Sequence, residues 1–165
     1  VKLVFDKVAI ILATGFGVGY APRAPGTFGS LIALPIGWWV SVQSFGLGYK
    51  FLMAGILTAF ALAIIHMAEQ ALRTHDDQRI VLDEVAGQFI AICWVPNQWY
   101  LFLGGFLLFR LFDIWKPGLI GYVDQKLPGA MGTLFDDVIA GLFAGACLFA
   151  IWAGFLYLRH SFVLD

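Results

Sequence analysis

The stretch IVLDEVAGQFIAICWVP, residues 80–96, decides how the chain is read, because it sets two adjacent carboxylates, Asp83 and Glu84, at the opening of an apolar, membrane-length run. A carboxylate at the centre of a bilayer helix costs about 2.5 to 3.5 kcal/mol on insertion scales. An adjacent pair is tolerated near the interface, or where it faces a hydrated cavity that bears a cation. The partial positive charge of a helix N-terminus favours each acid by about 0.3 to 1 kcal/mol, which offsets only part of that penalty. The stretch therefore reads as a membrane helix whose first turn carries either a solvated interfacial pair or a functional one.

Composition points the same way. Of 165 residues, 61% are hydrophobic and 13% charged, against about 25% charged in soluble chains, so the sequence reads as an integral membrane protein with a single domain, 1–165. A net charge of −1 gives no sign of a nucleic-acid partner. Cys93 and Cys147 lie inside apolar runs and read as core packing, so neither a disulfide framework nor a zinc site is indicated. The first residues, VKLVFDKVAIILATGFG, lack a small-residue cleavage site followed by a polar domain and do not read as a removable signal.

Taken in order, residues 1–20 predict a short interfacial or re-entrant helix, too short for a span of about 20 residues. Gly15, Gly17 and Gly19 superficially resemble a dinucleotide loop, but no βαβ unit surrounds them, and Gly15 to Gly19 also fits the small-residue spacing of close helix packing. APRAPGTFGS, residues 21–30, suits a turn that delivers backbone N–H groups to a helix start, where phosphate can bind beside Thr27 and Ser30. An ordinary Pro-Gly turn capped by Thr27 reads equally well. Five spans follow, at about 27–43 (kinked at Pro35), 51–66, 80–96, 99–115 and 134–158, with Trp38 and Trp39 marking an interface. The expected fold is all-α: a polytopic, compact bundle of about five membrane helices plus the short N-terminal one.

Threading five alternating spans sorts the charges. Arg23, Arg73, Arg79, Arg110, Lys116 and Lys126 fall on one side, and Lys50 and Arg159 on the other, so the first side is expected to be cytoplasmic. Asp83, Glu84, Asp113, Asp136 and Asp137 fall on that same side.

Carboxylates from three helices at one membrane depth repel strongly unless a hard, oxygen-loving cation such as Mg2+ sits among them. Arg110 and Asp113 share a helix face and form either a mutual salt bridge or part of this site. Basic groups beside a metal suit a phosphate-bearing substrate. Lys116 leads into Pro117, so its long side chain can leave the helix end and meet a lipid phosphate. His75, next to Asp76, reads as a metal ligand, a proton carrier or a solvated loop residue; His66 and His160 read as interfacial. A cysteine phosphatase is excluded, because the positions six after each cysteine are Trp99 and Ala153 rather than Arg.

The runs GYAPRAPGTFGS, HDDQRIVLDEVAG, FRLFDIWKP and GAMGTLFDDVIAG resemble, in this order and spacing, the bacterial phosphatidylglycerophosphatase A family over roughly residues 9–157. The resemblance implies an inner-membrane, multi-pass, Mg2+-dependent phosphatase that converts phosphatidylglycerophosphate to phosphatidylglycerol. The family pattern falls on Pro25, Gly26, Thr27, Gly29, Ser30, Asp76, Asp83, Glu84, Gly87, Arg110, Asp113, Lys116, Pro117, Gly129, Gly132, Asp136 and Asp137. This chain departs from it at Leu119, where the family usually has a second proline, and at Gly129-Ala130, where it has a Gly-Gly pair. Both touch loop shape.

The expected site therefore has Asp83, Glu84, Asp113 and Asp137 as metal ligands, and these with Asp136 as the catalytic acids. Thr27, Ser30, Arg110 and Lys116 are expected on the substrate, with His75 and Asp76 as further candidates. A water nucleophile and an aspartyl-phosphate intermediate both remain open. The rival reading is a small cation transporter or channel subunit, since membrane carboxylates also mark ion pathways. Acids gathered at one face, rather than spread along a crossing path, argue against it.

Overall fold

The computed structural model describes residues 2–43, 46–74 and 77–161, and every regular element among them is helical. In chain order these are α1 (Lys2–Ala13), a 3-10 turn (Val18–Tyr20), α2 (Pro25–Val42), α3 (Leu47–Leu72), α4 (Leu82–Ile92), α5 (Trp99–Trp115), α6 (Leu119–Lys126) and α7 (Ala130–Ser161). Pro and left-handed residues set the boundaries. Pro25 opens α2 with its φ already helical, after Ala24 at φ 49°. Lys116, at φ 48°, ends α5 directly before Pro117, which disfavours helical backbone in the residue preceding it.

At the centre lies α4, in which every residue from Leu82 to Ile92 except Glu84 is buried. It packs against α2, α3, α5 and α7. A helix apolar on nearly all sides belongs inside a bundle, and here the neighbouring helices replace lipid. Its 11 residues rise only about 16 Å, roughly half a bilayer's hydrocarbon core, so the expected third span at 80–96 is a half-length internal helix followed by a turn. The expected count of five spans is thus not matched. Among the described residues two helices, α3 and α7, are long and apolar enough to cross a membrane. Their outer faces leave Leu52, Ile56, Phe60, Phe149, Ile151 and Phe155 exposed, as suits a surface turned to lipid.

The longer helices alternate in direction along the chain, so that α2, α4 and α7 run one way and α3 and α5 the other. Gly26 meets Glu84 while Gly37 meets Ile92, so α2 and α4 run the same way. Gly87 meets Asp137 while Gly145 meets Trp94, which aligns α7 with them. Conversely, Phe109 lies against Gly87 and Gly105 against Ile92, so α5 runs opposite. α3 does too: Phe51 meets Trp94 edge-on with centroids 5.1 Å apart, while Glu69 at its far end accepts from Thr133 Oγ1 at 3.4 Å. The first turns of α2, α4 and α7 and the last turn of α5 consequently share one end of the bundle.

The N-terminal glycines pack closely, but not as a helix pair. α1 stops at Ala13, and Gly15 and Gly17 take positive φ in the following turn. A side chain at Gly19 would collide with the Arg79 carbonyl, and Ala13 O accepts from Val81 N at 2.9 Å. The turn thereby clamps the segment leading into α4.

Candidate active site

The α4–α7 crossing brings the acids together. A Cβ on Gly141 would strike the backbone of Gly87, and one on Gly87 would strike the Asp137 carbonyl, so only glycine permits this approach. One turn earlier on each helix stand Asp83 and Asp137, and Glu84 is three residues before Gly87. Carboxylate oxygens of Asp83, Glu84 and Asp137 lie within 4.8 Å of one another, and so do those of Asp113, Asp136 and Asp137. Asp137 belongs to both groups and joins them. Asp83, Asp136 and Asp137 are buried, at 6%, 3% and 3% exposure.

Each like-charged pair at such a distance repels by about 3 kcal/mol at an effective dielectric of ~20, several times what a helix N-terminus returns. The described cations at the cluster are Arg110, whose Nη1 donates to Asp113 Oδ2 at 2.5 Å, and Lys116, whose Nζ donates to Asp136 Oδ2 at 2.6 Å. Two cations leave five carboxylates undercompensated. Glu84 Oε2 and Asp136 Oδ1 are moreover buried without a hydrogen-bond partner. A buried acceptor left open costs about 1 to 3 kcal/mol, and oxygen-only donors on converging helices are what a hard divalent cation takes. The residues present therefore fit Mg2+, with Asp83, Glu84 and Asp137 as one donor set and Asp113, Asp136 and Asp137 as the other.

Expected substrate residues divide. The turn at the start of α2 reaches the cluster, since a Cβ on Gly26 would collide with Glu84 Oε1 and lie 3.2 Å from Arg110 Nη1. Thr27 is half-buried in that turn. Ser30, by contrast, is fully buried one helical turn on and donates its hydroxyl to Gly26 O at 2.9 Å, which keeps it within α2. Arg110 Nε is buried with no partner, leaving a guanidinium donor uncommitted beside the acids. Lys116 does leave the helix end, but folds back onto α7 rather than outward to the interface. Burial alone would lower its ammonium, yet Asp124 and Asp136 overcome this and hold it protonated above its ordinary range. His75 and Asp76 lie outside the described residues.

Three further residues around the cluster had no clear sequence signal. Asp124, on α6, accepts from Lys116 Nζ at 2.7 Å. Glu69, buried at the end of α3, ties that helix to Thr133, one turn before Asp137. Gln88 is fully buried one turn below Glu84, with neither amide atom bonded. The i, i+4 step from Glu84 to Gln88 was the one available hint. Beside Thr133, a cavity of about 610 Å3 opens between α3 and the start of α7, lined by Leu62, Ala63, His66, Glu69, Gly129 and Met131 among others.

Comparison with known proteins bears on what such a site does. A family model described as phosphatidylglycerophosphatase A matches residues 11–152. Phosphatidylglycerophosphatase A of Escherichia coli (strain K12) is 35% identical over 142 residues, covering 86% of this chain and 81% of that protein. The Haemophilus influenzae protein of the same name is 39% identical over 144 residues, 86% of each chain. A Bacteroides thetaiotaomicron protein bearing the provisional name phosphatidylinositol-3-phosphatase is 35% identical over 143 residues, 82% of this chain and 87% of its own. No solved structure matches.

Proposed function

The chain belongs to the phosphatidylglycerophosphatase A family, and on that premise we propose that it removes the terminal phosphate of phosphatidylglycerophosphate, giving phosphatidylglycerol and phosphate, in a Mg2+-dependent reaction at the cytoplasmic face of a bacterial inner membrane. The observation that carries the chemical part is the pair of overlapping carboxylate sets, joined at Asp137 and holding two unpartnered buried oxygens.

Asp83, Glu84, Asp113 and Asp137 would hold the metal, with Asp136 beside them. Bound there, Mg2+ supplies Lewis acidity, neutralising phosphate oxygens and making water more acidic. The chain's own groups do the rest. Arg110, through its uncommitted Nε–H, and Lys116 face the phosphate as cations, one a fork and the other a point charge. A carboxylate oxygen of the cluster that the metal leaves free takes the proton of an attacking water. The water oxygen bonds to phosphorus as the bond to the glycerol oxygen breaks, and that oxygen leaves with a proton returned by a carboxylic acid of the cluster. The apolar cavity beside Thr133 suits an acyl chain of the lipid.

Against the transporter reading, the acids are confined to one end of the bundle instead of being spaced along a path through it. Purified protein in proteoliposomes separates the two. Release of phosphate from phosphatidylglycerophosphate without cation flux is expected; cation flux without phosphate release would reverse the assignment.

A further inference from the structure

Asp124 belongs to a segment that joins α5 to α7 and carries no chemical motif of its own, yet it touches the site through one group. Lys116 Nζ donates to Asp124 Oδ1 at 2.7 Å and to Asp136 Oδ2 at 2.6 Å. An ammonium has three N–H bonds, so two are spent on carboxylates from different helices and one remains. The Lys116 side chain is 33% exposed, whereas that of Asp136 is 5% exposed. The remaining hydrogen thus belongs to a group open to a ligand while its anchor is closed to one.

The backbone around this bridge is held in place from several sides. Ile120 is 1% exposed and packs in a cluster with Phe109, Ala91 and Ala140, which belong to α5, α4 and α7. A Cβ on Gly121 would lie 2.7 Å from the Lys116 carbonyl oxygen, so α6 doubles back against the residue it must position. On the other side, a Cβ on Gly132 of α7 would collide with the Leu127 carbonyl. Lys116 itself sits at φ 48°, a left-handed conformation that a non-glycine residue keeps only where its surroundings impose it.

We propose that Asp124 is a positioning residue for phosphate recognition: it suspends the Lys116 ammonium between α6 and α7, which leaves its third N–H for an oxygen of the substrate's phosphate. Without Asp124 the ammonium has one anchor, the buried Asp136, and collapses toward it. This rests on the reading above, in which a phosphate monoester is the substrate. A clasp that merely fastens α6 would use the same two hydrogen bonds, so the test must read more than stability.

The experiment is a double-mutant cycle on the full chain in Mg2+-containing detergent, with Asp124→Asn, Lys116→Ala and the pair, plus Asp124→Glu. Two quantities are read: KM and kcat for the lipid, and affinity for inorganic phosphate by calorimetry, which needs no turnover. Asp124→Asn is expected to weaken phosphate binding and raise KM roughly fivefold, with kcat changed less, and to have no further effect once Lys116 is alanine. Asp124→Glu should recover most of the loss. An equal Asp124→Asn effect in the Lys116→Ala background, or a lowered thermal midpoint with unchanged phosphate affinity and KM, overturns the proposal. A wild-type chain that binds phosphate in this Asp124-dependent way but does not hydrolyse the lipid would retire the lipid assignment and keep this one.

Discussion

Gly141 lies against the backbone of Gly87, so α4 and α7 cross with no side chain between them one turn below Asp137 and Asp83. The carboxylate separations of the site are therefore set by a contact that carries no charge. Two helices brought this close make the acids share one space.

Gly141→Ala should accordingly lower both stability and activity. The added methyl must push the Gly87 backbone away, an overpacking cost of about 1 to 3 kcal/mol. Gly154→Ala is the control on the same helix, since nothing lies within 4 Å of its Cβ position. Thermal midpoints and phosphate release in detergent should fall for the first and hold for the second. Equal behaviour of the two variants would mean the crossing does not set the site.

Asp113 and Lys116 close the same helix but should fail differently. Asp113→Asn removes an anionic oxygen from the second donor set and should raise the Mg2+ midpoint. Lys116→Ala removes a cation that cannot ligate metal, so it should raise the lipid KM with the Mg2+ midpoint near wild type. A two-way titration of metal against lipid in mixed micelles separates them. The opposite pattern would exchange their roles.

Asp77 gives a pH dependence of known sign. Arg79 donates to both of its carboxylate oxygens, at 2.8 and 2.6 Å, and holds its pKa at about 2, below the ordinary carboxylate range. Because the folded value is the lower one, the stabilisation is fully present above the ordinary carboxylate value of about 3.9 and is lost as pH falls toward 2. The difference in thermal midpoint between wild type and Asp77→Asn should be constant from neutral pH to about pH 5, then shrink. A difference that persists unchanged near pH 2 would show that packing, not charge, is responsible.

That the acids of the cluster would gather was legible in the sequence, and the reason is contrast. Asp83, Glu84, Asp113, Asp136 and Asp137 stand out because carboxylates are costly within apolar runs, and the structure gathers all five. Asp124 stands in a polar connection where an acid means nothing until Lys116 turns back in a left-handed conformation to meet it. α6 was missed as a helix for a related cause: eight residues containing Gly121 and bounded by Gly118 and Pro128 carry a weak helical signal. The length of α4 was misread because an apolar run does not say whether lipid or other helices surround it, and here the helices do. Gly87 and Gly141 are equally silent until their partner backbone is known.

The sidedness of the bundle is a separate expectation. The segments 73–80 and 116–129, which lead from α3 to α4 and from α5 to α7, should face the cytoplasm, since most of the basic residues lie in or beside them. Single cysteines at Gln78 and Tyr122, in a chain with Cys93 and Cys147 replaced, should resist an impermeant reagent in intact cells and react once cells are opened. Labelling of intact cells at both sites would invert the topology.

The proposed function depends on joint action of Asp83, Glu84, Asp113, Asp136 and Asp137 around Mg2+. Its most direct test is phosphate release from phosphatidylglycerophosphate by the purified protein, before chelation, after it, and after Mg2+ is restored, with Asp137→Asn alongside because Asp137 joins both donor sets. Release should fall to background on chelation, return with Mg2+, and stay at background in folded Asp137→Asn at every Mg2+ concentration. Release that survives thorough chelation, or a wild-type rate in Asp137→Asn, would contradict it.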